Sequence, residues 1–187
     1  MDQKESGPAK DPGPDQNKSG RFRQTFASLK ERNFRIYATG QLISLIGTWM
    51  QITALPWLVY TITKSASALG MVSFAGSLPL LLLTYFGGTL ADKFDRKKVL
   101  ITMQSLAMVQ AVLLFAVAFY GLTSIYLLVA LALFSGCITA LDLPSRQAFV
   151  ADLVGKENLT NAISLNSAIW NSSRMIGPAL AGLIIGL

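Results

Sequence analysis

Apolar residues run along this chain in stretches far longer than a core helix of a water-soluble domain requires. No charged side chain occurs from Ile36 to Thr63, from Ser65 to Ala91 or from Val99 to Leu141, runs of 28, 27 and 43 residues. A helix crosses a hydrocarbon layer about 30 Å thick with about 20 apolar residues. The first two runs therefore suffice for one crossing each and the third for two. The pattern predicts five spans, about Asn33 to Tyr60, Ser67 to Ala91, Val99 to Tyr120, Ser124 to Leu141, and Asn161 to the end, with a tight turn at Gly121-Leu122-Thr123-Ser124. The fold class is all-α, a polytopic membrane helix bundle.

Polar side chains inside lipid are disfavoured unless they face a partner helix or water, so their angular arrangement carries information. Helix 1 holds Gln41, Ser44, Thr48 and Gln51 at steps of three and four, which places them on one face. Helix 4 continues the pattern with Ser135, Thr139 and Asp142, and helix 5 with Ser164, Ser167, Asn171 and Arg174. In helix 3, Gln104, Ser105 and Gln110 form no continuous stripe. Helices 1, 4 and 5 are thus expected to face a cavity and helix 3 to face lipid. The competing structural reading is that the stripes only join helices through hydrogen bonds.

Arg174 stands out among them. It lies 13 residues beyond Asn161, or about 20 Å at the helical rise, near mid-membrane. A cation at that depth calls for water, an acidic partner or an anionic substrate. Asp142 falls about 27 Å along helix 4 and close to the inner surface, so the two charges are expected to differ in depth by about 15 Å or more. Arg146, four residues on, is the alternative partner for Asp142, with Pro144 between them as a bend. Pro79 and Pro178 interrupt helices 2 and 5, and Gly40 and Gly47, Gly87 and Gly88, and Gly177 and Gly182 offer places for close helix approach.

Composition and charge refine this picture. Half of the 26 charged residues lie in the first 35 positions. The net charge of +6 reports topology rather than nucleic-acid binding, because Lys and Arg gather in the tail, in the 2-3 loop and in the 4-5 loop. That asymmetry places the amino terminus in the cytoplasm. Residues 1–20 have almost nothing to bury and are expected to be a disordered cytoplasmic tail. Residues 21–32 fit either a short amphipathic helix along the inner headgroups or a solvated basic linker. The chain has one cysteine, Cys137, and no histidine, so no disulfide framework, Cys/His metal site or cofactor is expected. No phosphate-binding Gly-Lys-Ser/Thr loop points to an ATP-driven pump, and no nucleophile-base pair points to an enzyme.

The segment Gly87-Gly88-Thr89-Leu90-Ala91-Asp92-Lys93-Phe94-Asp95-Arg96-Lys97-Lys98 resembles the 2-3 loop signature of the major facilitator superfamily. Gly88, Leu90, Asp92, Arg96 and Lys97 match it, and Asp95 stands where many members have glycine. In helix 5, Gly177, Pro178 and Gly182 are similar to the Gly-Pro motif of proton-coupled antiporters, with Ser173 and Ala181 replacing two of its glycines. The run from Asp142 to Val150, with Asn161-Ala162 and Arg174 to Pro178, resembles the subgroup that contains enterobactin exporters and macrolide efflux proteins.

The resemblance implies a twelve-helix transporter of two halves, of which residues 33–187 supply helices 1 to 5 of the amino-terminal half. The second half of the transporter is then a missing partner, and the ending at Leu187 in apolar sequence reads as truncation. The implied function is proton-coupled efflux of a small organic molecule, such as a siderophore or drug, across a bacterial plasma membrane. The other reading is a fragment without transport activity by itself. Arg174, Asn171, Gln41, Thr48, Gln51, Thr139 and Asp142 are the candidate substrate or coupling residues. Gly88, Asp92, Arg96 and Lys97 form the conformational loop, in which the resemblance makes Asp92 a latch on the other half or, with Arg96 and Lys97, an ordinary inner-face anchor. The expected partners are lipid, the transported molecule and protons, with no nucleic acid.

Overall fold

The computed structural model describes residues 31–122, 124–154 and 159–186, and the side chains of 84–93 lie outside that description. Five helices follow one another: α1 (Arg32–Thr63), α2 (Ala66–Lys93), α3 (Arg96–Phe119), α4 (Ile125–Leu153) and α5 (Leu159–Gly186). The expected boundaries agree within three residues, with one exception. Helix 4 does not stop at Leu141 but continues through Pro144 to Leu153. Local bonds carry it past the proline. Ser145 Oγ donates to the Leu141 carbonyl, Arg146 reaches back one turn to Asp142, and Val150 is buried against Phe34 and Ala38 of α1. Arg146 is therefore helical, not part of a loop.

The connections are short, and several polar groups satisfy the helix ends they join. Lys64 adopts a left-handed conformation at φ 50° and its amide donates to the Tyr60 carbonyl. Ser65 Oγ then accepts from the Ala68 amide at the start of α2. Gly121, at φ +67°, turns the chain after α3, and the Leu122 amide donates back to Val117, a left-handed glycine cap. Asp95 accepts from the amides of Lys97 and Lys98 and so caps α3.

Two helix pairs form the tightest seams, α2 with α4 and α1 with α5, and α3 packs on α4. At the first seam, a Cβ on Gly136 would stand 2.3 Å from the Gly76 carbonyl oxygen and 3.0 Å from the Pro79 ring. At the second, Gly177 meets Trp49. Gly40, Gly47 and Gly182 have nothing within 4 Å of a built Cβ, so the close approaches expected there do not occur. The apolar core is split between the two ends of the bundle. Val59, Val72, Ala75, Leu114, Val117 and Leu128 pack at one end, and Phe34, Ala38, Val150, Val154 and Ala162 at the other.

Large apolar side chains such as Leu81, Phe115, Phe119 and Leu183 are exposed, as lipid-facing residues must be. Four described helices, α1, α2 over Ala66–Leu83, α3 and α4, are long and apolar enough to cross a membrane. Helix α5 falls short of that composition despite its length, because Asn161, Asn166, Asn171, Arg174 and its serines dilute the apolar residues. A span with so many polar groups needs protein or water beside it.

Candidate functional site

The polar residues singled out by their spacing do not form one cluster. They separate into three sites arranged around α1.

The first is the outer side of α5. Its buried residues Ala162, Ser173, Gly177 and Ala181 face α1, whereas Ser164, Ser167, Asn171 and Arg174 are exposed. Ser164, Ser167 and Asn171 each donate to the carbonyl four residues earlier, so they need no partner helix. Thr48 on α1 and Thr139 on α4 do the same and are likewise exposed. None of these five hydroxyl or amide groups bonds to a neighbouring helix among the described residues.

Arg174 is held differently. Its guanidinium lies 5.6 Å from the centroid of the Trp49 ring, and Trp49 meets Trp170 edge to face at 5.7 Å. Cation-π contact of this kind fixes a guanidinium by its face and leaves the N–H groups at its rim available. No carboxylate among the described residues pairs with it. Asp142 does not, as the sequence indicated. The contacts place Asp142 near the level of Gln41 to Ser44 and Arg174 near Ile46 to Trp49, so the height difference is nearer one turn than the expected 15 Å. The extension of α4 past Leu141 brings Asp142 deeper. The two charges are separated mainly because they lie against different sides of α1.

The second site is the α1–α4 seam. Asp142 pairs with Arg146 through Oδ2 and Nη2, and both residues are buried. Tyr37 lies beside them, its ring 5.6 Å from that of Phe149, and Gln41 is buried one turn above. Sequence reasoning found the charged pair but missed Tyr37, whose position opposite Arg146 depends on α4 remaining helical.

The third site corrects the reading of α3 as simply lipid-facing. Gln51 Nε2 donates to Gln110 Oε1 at 2.7 Å, and Ser44 Oγ donates to Gln104 Oε1 at 2.8 Å. Gln110 also donates to the Leu131 carbonyl of α4 at 3.4 Å. The outer residues of α3, including Met108, Val112 and Phe115, are exposed, whereas its packed side holds Gln110 among Leu114 and Val117. For Gln51 the hydrogen-bonding role is the observed one. Near it, a cleft of about 360 Å³ opens between α1 and α3, lined by Gln51, Ala54, Leu58, Ala111 and Phe115. Its walls are almost wholly apolar, and Arg174 does not line it.

Of the loop motif, Gly88 and Asp92 have side-chain positions outside the described residues. Arg96 pairs with Asp152 at the end of α4 at 2.7 Å, tying the start of α3 to the extension of α4 beyond Leu141. Lys97 is exposed, and its amide donates to Asp95. The residue that departs from the family pattern thus has a defined local role, since aspartate is a strong N-cap. Of the helix 5 motif, Gly177 makes a close approach, Pro178 lies within the continuous helix, and Gly182 is exposed.

A bundle of long apolar helices with a cationic, polar-faced fifth helix defines a multi-pass membrane protein. A family described as "Transmembrane secretion effector" matches residues 23–187, and the chain belongs to that family, within the major facilitator superfamily. It is 34% identical over 154 residues to the staphyloferrin A transporter of Staphylococcus aureus, covering 82% of this chain and 39% of that protein. Identity to macrolide efflux protein A of Streptococcus pyogenes is 28% over 161 residues, 86% of this chain and 40% of the relative. Multidrug efflux pump Tap of Mycolicibacterium fortuitum is 29% identical over 144 residues, 74% of this chain and 35% of the pump. The chain therefore spans about two fifths of the length of these curated relatives. No solved structure matches it. The family is one of transporters, not enzymes.

Proposed function

We propose that this chain forms the substrate-facing part of a secondary exporter of small organic anions, driven by a proton gradient. The observation that carries the reading is Arg174, a cation about 22 Å along α5 by the helical rise, without a carboxylate partner among the described residues. Leaving a cation inside a span costs about 3 kcal/mol on insertion scales, so an uncompensated one is retained where it meets water or a negatively charged ligand. Asn171, Ser167 and Ser164 extend a wettable face from it. Relatives named for staphyloferrin A transport, macrolide efflux and multidrug efflux support export of small organic molecules. The concentration of Lys and Arg in the tail and the 2-3 loop supports a cytoplasmic amino terminus.

The test is uptake into everted vesicles under an imposed pH gradient, using the longest reading frame that contains this chain. A carboxylate chelate should accumulate in preference to cationic and neutral probes. Arg174→Gln should reduce its uptake at least about tenfold with the membrane-inserted amount unchanged. Equal uptake by the variant overturns the role of Arg174, and uptake indifferent to the pH gradient overturns proton coupling. A second reading, that the 187 residues do not transport by themselves, is favoured by the two-fifths coverage of the relatives. It predicts uptake with the longer frame and none with this chain alone.

A further inference from the structure

The seam between α1 and α4 carries a site independent of Arg174. The two helices run antiparallel along it. Phe34 shares a core with Val150 and Val154, and the Tyr37 ring meets that of Phe149. Each step up α1 is a step back along α4, which brings Gln41 opposite the turn that runs from Asp142 to Arg146. Five buried polar atoms in this stretch have no hydrogen-bond partner among the described residues: Tyr37 Oη, Gln41 Nε2, Asp142 Oδ1, and Arg146 Nε and Nη1. The Asp142–Arg146 pair consumes only the other carboxylate oxygen and the other terminal nitrogen. Tyr37 lies close enough to feel both charges.

The identity of the guest follows from the donor and acceptor inventory. The free N–H groups of Gln41 and Arg146 and the phenol hydroxyl outnumber the one free carboxylate oxygen. Acyl chains offer them nothing. A small anion would meet the Asp142 carboxylate, and a cation the Arg146 guanidinium, at distances where repulsion in a low dielectric is large. The pair itself is neutral, so the site favours a neutral molecule that accepts from several donors and returns one hydrogen bond. Water does this, and buried waters make about three hydrogen bonds each to groups that otherwise lack partners. We propose that Tyr37, Gln41, Asp142 and Arg146 form a buried water-binding site in which ordered water accepts from Arg146 and Gln41 and donates to Asp142 Oδ1. The site keeps an ion pair solvated inside a span that shuts out bulk solvent.

Hydroxyl-radical footprinting by radiolysis of the 187-residue chain in detergent micelles tests this, because bound water generates radicals where it sits. Phe34, wholly buried one turn away, is the dry control. Tyr37 should be oxidised at least about tenfold faster than Phe34. Asp142→Leu/Arg146→Met should bring Tyr37 down to the Phe34 rate while Phe34 itself stays far slower than the exposed Tyr126, showing that the variant still folds. If that variant does not fold, Gln41→Leu should still slow Tyr37 oxidation. A Tyr37 as unreactive as Phe34 overturns the proposal. A Tyr37 rate that requires halide in the buffer overturns it too, since the occupant is then an ion.

Discussion

Gly177 of α5 packs directly against Trp49 of α1. A Cβ on Gly177 would lie 2.5 Å from the Trp49 Cβ and 2.9 Å from the Ile46 carbonyl oxygen. This contact joins packing to the candidate site, because the tryptophan that fills the space beside Gly177 also presents its ring to Arg174. The absent side chain sets where the cation sits.

Substitution at this contact should therefore be costly in a way that its neighbour's is not. Backbone cannot yield as a flexible side chain does, so Gly177→Ala should destabilise the bundle by about 1–3 kcal/mol. Gly182→Ala, with open space around it, should be neutral or slightly stabilising, since alanine is the better helix former. Unfolding of both variants by SDS titration in mixed micelles, followed by circular dichroism, measures the difference. Equal stability of the two variants would show that α1 and α5 are not in contact there.

Asp95 should behave as a helix cap rather than as a flawed turn residue. Its carboxylate accepts at 3.0 Å from Lys97 and 3.3 Å from Lys98. Asp95→Ala should cost about 1 kcal/mol, whereas Asp95→Gly should cost only a few tenths. The same micellar unfolding assay separates them. Identical losses would mean that the cap does not form.

These contacts show what the order of residues discloses and what it withholds. The number of helices and most of their limits were legible because spans of this length have no soluble equivalent. Helix 4 was misjudged at Pro144, where proline ordinarily signals an end. The signals that carry the helix through, Asp142 with Arg146 four residues apart and Ser145 after Leu141, were present in the sequence. The N-cap at Asp95 was equally readable, as an aspartate directly before a helix. Partners across helices were not readable. Nothing in the spacing of Gln104 and Gln110 reveals that α1 aims Ser44 and Gln51 at them, and nothing in Trp49 foretells Arg174 over its ring. Such pairings depend on how the helices rotate and cross.

Gln51 and Gln110 form one such crossing and should be energetically coupled. Gln110 is 2% exposed, so removing Gln51 leaves a buried amide short of one partner. Gln51→Leu and Gln110→Leu should each destabilise by about 1–3 kcal/mol, and the double variant by less than their sum, because neither polar group is then stranded. Additive losses in a double-mutant cycle would indicate that the two amides do not bond.

Two ion pairs among the described residues offer the sharpest comparison, since they share chemistry and differ in surroundings. Arg96 and Asp152 have side chains 34% and 54% exposed, within reach of water and salt. Asp152→Asn should therefore cost less than about 1 kcal/mol, and the loss should vanish at high ionic strength. Arg146 and Asp142 are 7% and 13% exposed. Asp142→Asn strands a buried guanidinium and should cost about 3–5 kcal/mol, with little dependence on salt. Removing both charges with Asp142→Leu/Arg146→Met should recover much of that loss, because well-packed apolar residues replace a buried pair at low cost. Unfolding titrations of the three variants at low and high salt decide the matter. If Asp142→Asn proves as mild and as salt-sensitive as Asp152→Asn, then Arg146 has access to bulk water and the α1–α4 seam is open.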